Sequence, residues 1–196
     1  MIKKIKVGIF VFNDVEVLDF AGPFEVFSLA SKKNNSIFDV FTISENEEII
    51  TAKNGLKIKS NYIFNDNYEI DILIIPGGYG AEEFEIKNKT TLNWIIEKSK
   101  EVDILASVCT GALLLAECGI LRNKKATTHW MDLDRLESDY PEVNVIRNVK
   151  YVDEGSILTS GGISAGINMS FHIIRRLLGI DIAKSTAKRM EYDIDI

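Results

Sequence analysis

The residue best placed for covalent chemistry is Cys109, which follows the apolar run 103–108 (DILASV) and precedes a second one, 111–118 (GALLLAEC). The first run has the length of a buried strand and the second reads as the opening of a buried helix, so the cysteine falls at the corner between them. Ser107 before it and Gly111 after it leave room for a sharp turn, the requirement that makes nucleophile elbows rich in small residues. A lone cysteine on composition alone reads as a small buried hydrophobe. At a helix N-terminus, unpaired N–H groups and the positive dipole end are expected to lower its pKa and favour a nucleophilic thiolate. Backbone donors at Thr110 and in the loop containing Gly77 and Gly78 would then hold an anion developing on a bound substrate.

A second group with chemical potential is Asp19, set in the apolar stretch Val17-Leu18-Asp19-Phe20-Ala21. It reads either as a helix cap ahead of Gly22-Pro23 or as a carboxyl facing Cys109. In the second case, burial and a nearby thiolate both raise its pKa, and the two groups share one proton. Glu16 is a rival carboxylate, but its surroundings are polar and it is expected to lie in solvent. His129, after Thr127-Thr128, could reach the same pocket; His172 sits mid-helix and reads as packing. The expected pocket walls are Phe20, Tyr79, Trp130 and Ile163. Cys109 and Cys118 are nine positions apart on what reads as one helix, which at about 100° per residue puts them on opposite faces, too far around to pair. Two histidines and no Cys-x-x-Cys give no metal-ligand spacing, so neither metal nor organic cofactor is expected. The run Gly77-Gly78-Tyr79-Gly80 lacks the lysine of a phosphate-binding loop.

The elements that must position these groups follow from hydrophobic period. Continuous apolar runs at Ile5–Phe12, Asp71–Ile75 and Asp103–Val108 read as strands covered on both faces, and Phe38–Ser44 as a further strand. Helices are expected over Pro23–Ser31, Lys89–Lys100 (with Leu92, Ile95 and Ile96 inward), Gly111–Cys118, Met131–Ser138 and Ile182–Met190, and the glycine-rich turn that opens 160–179 (SGGISAGINMSFHIIRRLLG) is expected to feed a further long helix. That long helix is expected to stop at Gly179. Asn54-Gly55 marks a hairpin within Glu45–Lys59, and Val143–Val152 with Ser156–Thr159 a strand pair. Alternation of strands and helices argues for a mainly parallel sheet between helical layers, with ligands beyond the carboxyl ends of its strands. Those ends supply 13–19, 77–80, Cys109-Thr110 and 160–164.

The chain's 196 residues suit one domain, 1–196, with a core that needs no staple, and 46% hydrophobic with 27% charged residues is ordinary globular composition. A net charge of -6 gives no electrostatic footprint for nucleic acid. No stretch approaches the ~20 apolar residues of a membrane span. The N-terminal lysines precede an apolar run too short for a signal peptide, with no cleavage site after it. A reduced, cytoplasmic protein is expected.

The segments VGIFVFNDVEVLDFAGPFEVF, IIPGGYG, SVCTGALLLAECGILRNKKATTHW and TSGGISAGINMS together resemble the ThiJ/PfpI superfamily, the class I glutamine amidotransferase-like proteins, across nearly the whole chain. The resemblance implies a flavodoxin-like three-layer α/β sandwich with a nucleophile elbow, and a homodimer acting on a small-molecule substrate. The Asp-x-x-Gly-Pro, Cys-Thr-Gly and Ala-Thr-Thr-His-Trp segments look most like the isocyanide hydratase branch, which adds water to an isonitrile to give an N-substituted formamide. It implies Cys109 as nucleophile, Asp19 as proton donor and Thr110 as a hydrogen-bonding neighbour. Peptidase-like branches place histidine directly after the cysteine; here that residue is Thr110. The same motifs occur in the N-terminal domain of AraC-type regulators, whose helix-turn-helix module has no counterpart before Ile196. A glyoxalase- or deglycase-like activity on small aldehydes is a third possibility that the resemblance implies.

Overall fold

A computed structural model describes residues 3–32, 35–46 and 49–194. The chain ends, and residues 47–48 of the expected Glu45–Lys59 ribbon, lie outside the described residues. Among the described residues seven strands form the main sheet: β1 (Ile5–Phe10), β2 (Phe38–Ser44), β3 (Tyr62–Ile63), β4 (Ile72–Ile75), β5 (Ile104–Val108), β6 (Tyr151–Asp153) and β7 (Ile157–Ser160). Their order is β6-β7-β5-β4-β1-β2-β3, parallel throughout except for the β6–β7 pair. The chain leaves β1 toward β2 on one side and resumes at β4 on the other. This reversal of direction opens a crevice at the carboxyl ends of β1 and β4, where α/β sheets place their ligands.

Every residue of β4 and β5 is buried, which is why both read as unbroken apolar runs. Among the described residues seven α-helices accompany the sheet: α1 (Val17–Leu29), α2 (Tyr79–Glu83), α3 (Lys89–Lys98), α4 (Gly111–Glu117), α5 (Leu133–Asp139), α6 (Ala165–Leu178) and α7 (Ile180–Arg189). α1 packs on α6 and α7, and α2 and α3 pack on α4. No helix among the described residues is long and apolar enough to cross a membrane. Most expected elements appear within two residues of their predicted ends. In α3 the inward face is Thr91, Trp94 and Ile95, with Leu92 and Ile96 half-buried. Trp94 stacks on Phe64 at 4.1 Å between ring centroids and its indole N–H donates to the Tyr68 hydroxyl at 3.3 Å.

Two readings depart substantially from expectation. Of the strand expected over Val143–Val152 only the end pairs with β7, as Tyr151–Asp153, whereas Asn144–Val145 pairs with Lys125–Ala126 instead. The other is a helix boundary. The helix expected to begin at Pro23 begins at Val17, and Pro23 lies inside it. Proline has no N–H to return to the Asp19 carbonyl, so one early helical bond is missing while the helix continues. Gly22 beside it admits α6: a Cβ there would lie 2.9 Å from Ile167 Cγ1. The early start puts Asp19 in the first turn of α1 rather than at its cap. The C-terminal end of α6 behaves as read, with Gly179 at φ 88°.

Asn88 caps α3, its side-chain oxygen accepting from Thr90 N at 3.0 Å. Asn88→Ala is expected to lower stability by about 1 kcal/mol in urea titration at unchanged slope, the usual cost of an N-cap. A change of slope would mean that more than the cap had been lost.

Candidate active site

Cys109 occupies the corner between β5 and α4 with φ 56°, a left-handed conformation uncommon outside glycine. The corner is held from three sides. Its N–H donates to Gly161 O at 3.2 Å, and its carbonyl accepts from the Thr128 hydroxyl at 2.8 Å. Gly111 lies so close to β4 that a Cβ would sit 2.1 Å from Ile75 O. The sharp turn is therefore fixed by backbone packing on both sides, and the thiol is buried, 6% exposed as a residue.

Asp19 is fully buried. Its Oδ2 accepts from Gly77 N at 3.1 Å, while Oδ1 is buried with no conventional hydrogen-bond partner among the described residues. Loss of water is the main cause that raises its pKa from 3.8 to about 7; the Gly77 N–H opposes this, the Glu16 charge adds to it, and the Cys109 thiol and Ile163 N–H oppose it. The N-terminus of α1 should favour the charged form by about 0.3–1 kcal/mol. A rise of this size corresponds to roughly 4 kcal/mol, so desolvation wins.

The thiol is the principal correction to the reading from sequence. Burial pushes its pKa up, and the Asp19 charge adds to the rise, while the N–H groups of Thr110 and Ile163 only partly oppose it. α4 spans only Gly111–Glu117, and its end cannot offset a dry site that already contains a carboxylate. Each partner acts on the other in the sense of a thiol donating toward a carboxylate. Around neutral pH the resting pair thus holds a proton between sulfur and oxygen instead of presenting a free thiolate.

Thr110 is buried next to the cysteine, and its hydroxyl accepts from Gly78 N at 3.0 Å. That hydroxyl also hydrogen-bonds the Glu82 side chain, whose pKa burial nonetheless raises. The N–H groups of Gly77 and Gly78 were expected to hold a substrate anion. In the structure they donate to Asp19 and Thr110, so they orient the acid and the threonine instead. A Cβ on Gly77 would lie 2.5 Å from Thr110 N, which explains the glycine.

The polar contacts of His129 run to its own segment. Its Nδ1 accepts from Met131 N at 3.4 Å and lies 3.6 Å from Asp132 Oδ2, and its ring covers Gly162, where a Cβ would sit 2.0 Å from Cδ2. The residue that sequence reasoning placed only in the wall is Ile163. It has φ 54°, a strained conformation for a β-branched residue, and its N–H acts on both Asp19 and Cys109. Of the other expected walls, Phe20 is buried, whereas Tyr79 and Trp130 are 59% and 74% exposed. Trp130, Thr128 and Gly162 line an adjoining cleft of about 350 Å³. Cys118 is half-buried with its thiol donating to Leu92 O at 3.5 Å, and both cysteines are free. No group of three or more His, Cys, Asp or Glu side chains able to hold a metal occurs among the described residues.

A buried thiol on a strained strand-to-helix turn, beside a carboxylic acid from the first turn of α1, defines a class of elbow-bearing α/β proteins. The profile of the DJ-1/PfpI family matches residues 5–176, and the chain belongs to that family. Isonitrile hydratase from Pseudomonas putida is 32% identical to it over 189 residues, covering 96% of this chain and 78% of that protein. The HTH-type transcriptional regulator CdhR from Pseudomonas aeruginosa is 23% identical, covering 88% of this chain and 51% of the regulator, so the chain spans about half its length. Among solved structures, a ThiJ/PfpI family protein from Pseudomonas syringae superposes with a TM-score of 0.87 at 22% identity, covering 99% of this chain and 77% of the other.

Proposed function

We propose that the protein hydrates small isonitriles to N-substituted formamides, with Cys109 as nucleophile and Asp19 as acid and base. The observation that carries this reading is the buried thiol–carboxyl pair, in a chain 32% identical to isonitrile hydratase over most of its length. In the reactive arrangement the pair's proton lies on Asp19 and Cys109 is a thiolate. Sulfur bonds to the terminal isonitrile carbon as Asp19 protonates that same carbon, giving a neutral thioimidate without releasing an unstabilised carbanion. The resulting carboxylate then takes a proton from water as the water oxygen adds to that carbon. One water proton ends on nitrogen and the other returns to Asp19 as the C–S bond breaks and the carbonyl forms. Thr110 borders the sulfur and keeps the elbow in register through Gly78.

This cycle needs the pair to hold one proton, not two. Because Asp19 takes up its proton near pH 7, turnover is expected to fall as the pH drops below about 7 and to level off above it. Incubation with an aryl isocyanide and quantification of the formamide across pH 5–9 tests both statements. Absence of formamide at every pH would rule out the hydratase reading. The match to a transcriptional regulator favours a second reading, a ligand-sensing domain. Tight binding of a small ligand without turnover of isonitriles or aldehydes would decide for it.

A further inference from the structure

The ribbon formed by Ile49–Thr51 and Lys57–Lys59 lies outside the main sheet, yet it is tied to the loop that precedes Asp19. Asp14 N donates to Thr51 O at 2.9 Å, Lys53 N to Val15 O at 3.0 Å, and Thr51 N to Asn13 Oδ1 at 2.7 Å. These bonds deliver the Lys53 ammonium to Glu16, with Nζ 2.5 Å from Oε2. Glu16 was expected in solvent, but its side chain is only 17% exposed, against 50% for Lys53. Its backbone is fixed as well: its N–H donates to Gly77 O at 2.9 Å, and its carbonyl accepts from Asp19 N at 3.2 Å. The carboxylate is thus held between the two segments that position Asp19, and the ribbon supplies its counter-ion.

We propose that Glu16 and Lys53 are positioning residues whose opposed charges, held beside the Asp19–Cys109 pair by the docked ribbon, set the pH at which that pair becomes reactive. The meaning of this for turnover rests on the hydratase reading. The groups facing Asp19 are few in kind: Glu16 from its own loop, Cys109 from the elbow, Lys53 from the ribbon, and the uncharged N–H groups of Gly77 and Ile163. The Glu16 charge raises the affinity of Asp19 for a proton. Lys53 lies within electrostatic range of Glu16, Cys109 and Asp19, and its cation favours all three anions.

The signs are therefore opposite for the two partners. Lys53→Met leaves Glu16 unbalanced and should move the acid limb of Cys109 reactivity upward by about 0.5 pH unit; Glu16→Gln should move it downward by about as much. The double variant should return close to the wild-type limb, and Lys53→Arg should leave it in place. The rate of Cys109 alkylation by iodoacetamide, read by mass spectrometry of the Cys109 peptide of the full chain across pH 5–9, measures the limb. Melting temperatures are recorded for each variant. If the single variants move the limb in the same direction, or leave it unmoved while changing only the melting temperature, the pair is structural and the proposal fails. Alkylation involves no isonitrile. Loss of the hydratase reading would leave this result standing, and a failed alkylation test would leave measured turnover standing.

Discussion

Cys109→Ala is expected to reduce formamide production to the uncatalysed level, a loss of at least ~10³-fold, while the protein remains folded. The elbow does not depend on the sulfur for its shape. Its N–H bond to Gly161 O and the bond from Thr128 to its carbonyl are both made by backbone atoms of residue 109, and alanine keeps them. Removing a single sulfur from a buried position costs on the order of 1–2 kcal/mol, which circular dichroism and a melting curve would register as a modest shift. Cys109→Ser should be nearly as inactive, since an alkoxide is far harder to form than a thiolate in a site that already opposes negative charge. Formamide release by either variant within tenfold of wild type would remove Cys109 from the mechanism.

Asp19→Asn is expected to abolish turnover and, at the same time, to stabilise the protein at alkaline pH. The folded-state pKa is about 7 against an ordinary 3.8, so the folded protein binds this proton more tightly than the unfolded chain does. The resulting stabilisation is fully present below pH 3.8 and is lost as the pH rises through 7. A difference of about three units corresponds to roughly 4 kcal/mol, an upper figure because buried sites relax. Asparagine keeps an acceptor for the Gly77 N–H and carries no charge to desolvate. The stability of Asp19→Asn relative to wild type should therefore climb between about pH 4 and pH 8, measured by urea unfolding at several pH values. A gap that does not vary with pH would mean that Asp19 is not the buried titrating group. The two outcomes together describe a residue that costs the fold stability and is useful only chemically.

The sheet and the elbow were legible because they depend on local patterns. Phe38–Ser44 was read with its observed bounds, and the period change around Cys109 located the turn to the residue. What sequence could not yield were properties set by tertiary surroundings. Gly22-Pro23 looked like a helix start, yet α1 runs through it, its first turn anchored by the buried Asp19 and Phe20. A cysteine at a helix N-terminus suggests a low pKa, but the direction depends on how much water the folded site excludes, which no spacing reports. Ile163 contributes a backbone N–H through a left-handed conformation that its side chain disfavours, so its residue type points away from that role. Glu16 and Lys53 are 37 positions apart, and only the docking of the ribbon brings their charges together.

The two outer strands of the sheet, Tyr62–Ile63 and Tyr151–Asp153, have a consequence for how copies of this protein behave in a crowded solution. Unpaired strand edges recruit other chains by extending their hydrogen-bond ladder, and long flat edges do so most readily. Here the edges are two and three residues long, and the second is the antiparallel arm of a hairpin. So short a template offers little to a foreign strand. Self-association by ladder growth at the two edges of the main sheet is therefore disfavoured.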